Sequence, residues 1–355
     1  IADSYLVDNA GIRGAGRTLA LAASVEAVRL NAGHGNDAIF VHGTRDDSYT
    51  ELLGGFGSDA FVIGGTVTGL RASDEDDLDA VAVDATVATT WLGANVGAAL
   101  VRSLDDVSMT VTGPRKLNAL AGALRLDGAG SEAAAFGRPL VQSGDAVSNG
   151  VAAAAAEDTA SVDRLTVRAD GASGLSGTMT TATIGGRVFQ QITGLDQPDN
   201  AVTIQPLGLT QAKGIHATAL EVTEILLGAG KDSFAFETLA RASDHATMAA
   251  MVVLQAGGGD DAISAQSVLG LQALVLFGDS ERSETAYGNT LPVGSDSFDL
   301  TKHDSGNIVV DGGAGSDSVR AGAGRLLALG GEGADSLTGG TGWSMLVGDG
   351  ALALD

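Results

Sequence analysis

The chain has 355 residues, 44 of them acidic and 20 basic, for a net charge of -24. That charge excludes nucleic acid and anionic lipid surfaces as natural partners. The absence of Cys excludes disulfides, thiolate metal sites and thiol catalysis. No apolar run reaches the 18 residues or more that a membrane-spanning helix needs, so no membrane span is expected.

Of the acidic residues 33 are Asp and 11 are Glu. Asp is poor in helices and good in turns and as a ligand for hard cations. Gly, at 52 residues, is about twice its usual share, while Pro is only 5. With 44% hydrophobic but 4% aromatic residues, the chain is expected to bury a core of small aliphatics. Thin layers of that kind suit narrow stacked strands.

In chain order, residues 1–72 hold the first two copies of a recurring unit: an apolar run, a glycine-rich turn ending in Asp, then a short apolar strand. They are Gly33-His34-Gly35-Asn36-Asp37 before Ile39, and Gly55-Phe56-Gly57-Ser58-Asp59 before Phe61. Val25-Glu26 precedes Asp37 as Leu220-Glu221 precedes Asp232; both Glu are expected at exposed strand positions, with an ion-facing role as the alternative that their equal offset from Asp allows.

Residues 73–215 show no clean period. They open on the acidic run Asp74-Glu75-Asp76-Asp77, expected to be a solvated loop. Strands are expected at Val107–Thr112, Leu165–Arg168, Thr180–Ile184 and Ala201–Ile204, and a short helix at Ala152–Ala156. The segment is either a degenerate stretch of the flanking pattern or an inserted β-rich domain; the first is favoured.

Residues 216–355 return to the unit, with Gly228-Ala229-Gly230-Lys231-Asp232, Gly257-Gly258-Gly259-Asp260-Asp261, Gly313-Ala314-Gly315-Ser316-Asp317 and Gly331-Glu332-Gly333-Ala334-Asp335. Asp261 to Asp279, Asp299 to Asp317 and Asp317 to Asp335 are each 18 residues, and 311–346 reads as four consecutive nonads. If two nonads make one layer, residues 18 apart stack about 4.8 Å apart. A cation between layers then takes carboxylate oxygens from both.

The nonads Gly312–Arg320 and Gly330–Thr338 resemble the RTX (repeats-in-toxin, hemolysin-type calcium-binding) signature G-G-x-G-x-D-x-U-x. The resemblance is strong over 311–346, fair over 24–63 and 219–265, and absent over 73–215. It implies a parallel β-roll or β-solenoid, folding that depends on Ca2+, type I secretion and a location outside the cell or at a bacterial surface. The expected ligands are Asp317, Asp335, Asp37, Asp59, Asp232 and Asp261, with the turns of Gly313, Gly315, Gly331 and Gly333. Asp279 and Asp299 have poorer glycine contexts. Leu326 and Ser344 stand where Asp is expected, so the second edge of that layer is expected to hold no ion.

Catalytic motifs are missing. The His at 34, 42, 216, 245 and 303 are scattered, with no H-E-x-x-H and no G-x-S-x-G. The expectation is a non-enzymatic, calcium-binding structural module of a surface layer, matrix fibre or giant adhesin that associates with itself. The alternatives are a receptor-binding adhesin module, with the receptor site in 73–215, or the secretion and folding tail of a larger toxin or hydrolase.

Overall fold

The computed structural model describes residues 3–14, 17–67, 111–112, 115–129, 162–204, 208–239, 251–279 and 292–349. Among these residues the protein is all-β, and no helix is long and apolar enough to cross a membrane. The expectations for 74–79, Val107–Thr110, Ala152–Ala156 and His245 fall outside the described residues.

Two long sheets dominate. The first has twelve strands: β1 (Ser4–Asp8), β2 (Gly11–Gly14), β3 (Arg17–Ala20), β5 (Ala38–Val41), β7 (Ala60–Ile63), β11 (Arg164–Arg168), β17 (Val222–Leu226), β19 (Met251–Gln255), β21 (Ala273–Phe277), β23 (Asn307–Asp311), β26 (Arg325–Leu329) and β29 (Ser344–Val347). The second has eleven: β4 (Ala27–His34), β6 (Tyr49–Phe56), β10 (Ala123–Ala129), β12 (Ser176–Ile184), β13 (Arg187–Gly194), β16 (Ile215–Thr218), β18 (Ser233–Phe236), β20 (Ala262–Ala265), β22 (Ser297–Asp299), β25 (Ser318–Arg320) and β28 (Ser336–Thr338). Three two-stranded pairs complete it: β8 (Thr66–Val67) with β9 (Val111–Thr112), β14 (Val202–Ile204) with β15 (Leu209–Gln211), and β24 (Ala314–Gly315) with β27 (Glu332–Gly333).

From β4 onward the chain passes back and forth between the sheets, and most neighbours run parallel. Leu274 pairs Ile308 and Ile308 pairs Leu326, while Phe298 pairs Val319 and Val319 pairs Leu337. Apolar side chains therefore stack on apolar side chains from layer to layer. The inward rows hold Phe61, Leu165, Ile225, Leu254, Leu276 and Val310 on one side and Leu52, Leu124, Phe234, Ile263, Phe298 and Val319 on the other.

Central strands of the first sheet, such as β19 with Met251-Val252-Val253-Leu254-Gln255, are buried on both faces and read as near-continuous apolar runs. Those of the second sheet from β18 onward alternate buried and open positions. Their outward row is small and hydroxylic: Ser233, Ala262, Ser297, Ser318 and Ser336. Phe298 is fully buried between layers. Phe298→Ala is expected to cost about 3–5 kcal/mol in a urea melt, the range for emptying a core aromatic site.

The segment without a period contributes to both sheets. β10 lies between β6 and β16, and β11 between β7 and β17, all parallel. The following hairpin β12–β13 is antiparallel and sits between β18 and β16. Between β10 and β18 the second sheet therefore has three strands, β16, β13 and β12. The first sheet has only β17 between β11 and β19. At roughly 4.8 Å per strand this opens the second sheet by about 10 Å more than the first.

Candidate functional site: a glycine–aspartate edge

The turns between the sheets stack along two edges, one where the chain enters the first sheet and one where it enters the second, and each Asp closing such a turn is a rung. Asp3 N–H donates to Asp37 Oδ1 at 2.7 Å, Asp37 N–H to Asp59 Oδ1 at 2.8 Å, and Asp59 N–H to Asp163 Oδ1 at 2.8 Å. Asp163 N–H donates to Glu221 Oε2 at 2.7 Å. A second run begins where Leu175 N–H donates to Asp232 Oδ1 at 2.5 Å. It continues from Asp232 to Asp261 at 2.7 Å, Asp261 to Asp296 at 2.8 Å, Asp296 to Asp317 at 2.7 Å and Asp317 to Asp335 at 3.0 Å. The two runs lie on opposite edges: Glu221 precedes β17 of the first sheet, and Asp232 follows it, before β18 of the second.

The residue before the rung adds a bond in the opposite sense. Ser58 N–H donates to Asn36 Oδ1 at 2.8 Å, and Ser295 N–H to Asp260 Oδ1 at 3.0 Å. Val162 N–H donates to Ser58 Oγ at 3.1 Å, and Ser316 N–H to Ser295 Oγ at 3.1 Å. Successive turns are thereby tied by side chains pointing both up and down the stack.

The glycines are packing requirements of these edges. Gly331 has φ +97° and Gly333 φ +138°, and a Cβ on either would overlap the carbonyl of Gly313 or Gly315 one layer away. The first glycine of the unit has another role. Oδ2 of Asp59, Asp296, Asp317 and Asp335 fills the space a Cβ would take on Gly54, Gly278, Gly312 and Gly330.

The electrostatic consequence is severe. Oδ2 of Asp37, Asp232, Asp261, Asp296 and Asp317 is buried with no hydrogen-bond partner. Burial raises the carboxyl of Asp37 to about 7, against the pull of the Asp3 N–H. It raises Asp261 to about 8, with the neighbouring Asp296, Asp232 and Asp279 adding to the rise. Asp296 goes to about 7 and Asp317 to about 6, in both cases by burial first. Asp232 and Asp279 are raised for the same reason. A stack of carboxylates each desolvated and each one layer from the next resists ionisation.

All six Asp expected as ligands are rungs, and Gly313, Gly315, Gly331 and Gly333 lie in the turns between them. Asp279 is beside the ladder, accepting the Ala314 N–H at 2.7 Å. Asp299 is not a rung: exposed, it accepts the N–H and hydroxyl of Thr301, and these bonds lower its pKa. The rung is Asp296, so the 18-residue spacing from Asp299 to Asp317 does not join equivalent positions. Rungs are 35, 21 and 18 residues apart from Asp261 to Asp335. Glu221, expected to be exposed, is buried because it replaces Asp as the acceptor for Asp163, whereas Glu26 is exposed.

As cation sites the edges offer orphaned, buried carboxylate oxygens together with turn carbonyls, the hard donors Ca2+ takes. Among the described residues no three His, Cys, Asp or Glu side chains converge on one point. Any ion here would draw on two successive rungs and on backbone. Further along the edge that enters the first sheet the buried group is different: His303 Nδ1 lies 2.9 Å from the Gln266 carbonyl and its ring fills the space beside Gly324. Comparison with known proteins gives no match to a family model, to a curated protein or to a solved structure.

Proposed function

We propose that the chain is a calcium-binding structural module of an extracellular bacterial assembly, a parallel β-solenoid whose glycine–aspartate edges are neutralised by Ca2+. The observation that carries this reading is the run of Asp232, Asp261, Asp296 and Asp317, each buried with one oxygen accepting a neighbouring N–H and the other without a partner. At neutral pH such a row needs protons or cations. A hard dication bridging successive rungs supplies two charges to two carboxylates and accepts carbonyl oxygens without further desolvating them. The acidic balance of the whole chain suits surroundings rich in that ion. Extracellular Ca2+ near millimolar matches weak modular sites with Kd on the order of 10⁻⁴–10⁻³ M.

A scaffold role fits the architecture, a long stack of mostly parallel strands. Self-association through the outermost strands, β3 and β29 of the first sheet and β4 and β28 of the second, belongs to the same proposal. Equilibrium dialysis against Ca2+ tests it. Several ions bound per chain near millimolar, not displaced by equal Mg2+, is the expected result. Association with Ca2+ in sedimentation is expected alongside. Absence of bound Ca2+ at 5–10 times the expected Kd of about 10⁻³ M would remove the cation from the account.

A further inference from the structure

Away from the ladder, register lines up a polar row on the outer face of the second sheet. Arg29 faces Glu51, Glu51 faces Arg125, Arg125 faces His216 and His216 faces Gln191. Glu51, Arg125 and His216 are buried. Hairpin β14–β15 lies against this face, with Val202 and Ile204 packed with Tyr49 and Ala123. It is tied by few bonds. Asn200 receives the Gly214 N–H at 2.6 Å and donates to the Gly122 carbonyl at 3.1 Å. The Gln211 amide donates to the Leu124 carbonyl at 3.0 Å and lies 3.1 Å from His216 Nδ1.

These bonds fix the state of His216. A carbonyl only accepts, so the Gln211 atom shared by Leu124 and His216 is the NH2 donor. Nδ1 of His216 is then the accepting, unprotonated nitrogen. Its Nε2 is buried and has no hydrogen-bond partner. The charges around it are already unbalanced. Glu51 is shared by Arg29 at 3.0 Å and Arg125 at 3.5 Å, and Asp127 is taken by Arg187 at 2.7 Å. Three guanidinium groups thus face two carboxylates, with Arg125 directly opposite His216.

We propose that β14–β15 is a strap released by acid, with His216 as its trigger. A proton taken up at Nδ1 places N–H against the Gln211 NH2, so the bond between β15 and β16 is lost. The imidazolium formed is a second buried cation beside Arg125, with no further carboxylate in the row to pair it. Lifting the strap uncovers the apolar patch of Tyr49 and Ala123 together with the charged row.

Burial pushes His216 down to about 4; the Gly214 backbone opposes the shift and Arg125 adds to it. A His lowered from 6.5 favours the closed strap fully above that pH and progressively loses it as pH falls toward 4.

The test is hydrogen exchange of the whole chain read by mass spectrometry at pH 7 and pH 4, corrected for intrinsic rates. Protection of β14 and β15 is expected to drop at least tenfold at pH 4 while β17 and β19 keep theirs. In His216→Asn, exchange of β14 and β15 is expected to be the same at both pH values. Unchanged protection of β14 and β15 at pH 4 in the parent chain would overturn the proposal. So would an equal drop in the variant, or loss of β17 and β19 together with the strap.

Discussion

Asp261→Ala is expected to destabilise the protein by about 1–3 kcal/mol in both Ca2+ and chelator, because it leaves the buried Asp232 N–H without its acceptor. Asp261→Asn separates the two duties of the same side chain. The amide oxygen still receives the Asp232 N–H, but the charge is gone. In chelator at pH 8 the Asn variant is expected to be more stable than the parent, and in saturating Ca2+ less stable. Urea melts of the three proteins under both conditions check this. An Asn variant less stable than the parent in chelator would show that the carboxylate charge is already well accommodated.

The same logic sets the pH profile of the chelated protein. Asp37, Asp261, Asp296 and Asp317 are raised from 3.8 to between about 6 and 8. Each contributes stability that is fully present below the unfolded pKa and lost as pH rises through the folded one. The ladder alone therefore makes the chelated protein less stable from about pH 4 up to about pH 8. His216 acts in the opposite sense below 6.5. The sum is expected to give a stability maximum in mild acid, moving toward neutral pH when Ca2+ is present.

Gly257→Ala is expected to be among the most damaging single changes. Gly257 has φ +103°, and a Cβ there would overlap the Gly228 carbonyl of the adjacent layer. The backbone strain costs about 1–3 kcal/mol. Forcing a methyl into the packed edge costs about 1–3 kcal/mol more. The turn also carries the Asp261 rung, so displacement of Gly257 weakens the ladder on both sides. A thermal melt is expected to fall by about 3–8 °C, at about 1–2 °C per kcal/mol for a chain of this size. A fall of less than 2 °C would mean the layers slide to admit the methyl.

Much of both edges was legible in the sequence because their requirements are local. A glycine two and four residues before Asp, and an apolar residue two after it, mark Asp37, Asp59, Asp232, Asp261, Asp317 and Asp335, and each is a rung. Asp296 escaped because Pro292 stands where the earlier glycine is expected, although Gly294-Ser295-Asp296 echoes Gly315-Ser316-Asp317. Asp163 follows Ser161-Val162, with no glycine near, and only its place in the stack reveals it. The equal spacing of Asp299 and Asp317 misled for a physical reason: turns between layers differ in length, so residue count does not measure height.

The all-β class and the strands at 165–168, 180–184 and 202–204 followed from local apolar and β-branched patterns. The insertion of β12–β13 between β16 and β18 did not. Strand pairing is a long-range property, and nothing in Ser176–Gly194 states which strands it will separate. The strap over His216 was hidden for the same reason. A lone His carries no signal until the register places Arg125 opposite it and Gln211 beside its ring.

The most direct test of the cation-neutralised edges is the unfolding midpoint at pH 7.5 in chelator, in Ca2+ and in Mg2+. A large rise with Ca2+ near millimolar, with little effect of Mg2+, is the predicted result. Equal midpoints in all three would contradict the account, leaving the aliphatic layers and the Asp-to-backbone bonds sufficient to hold the stack without any cation.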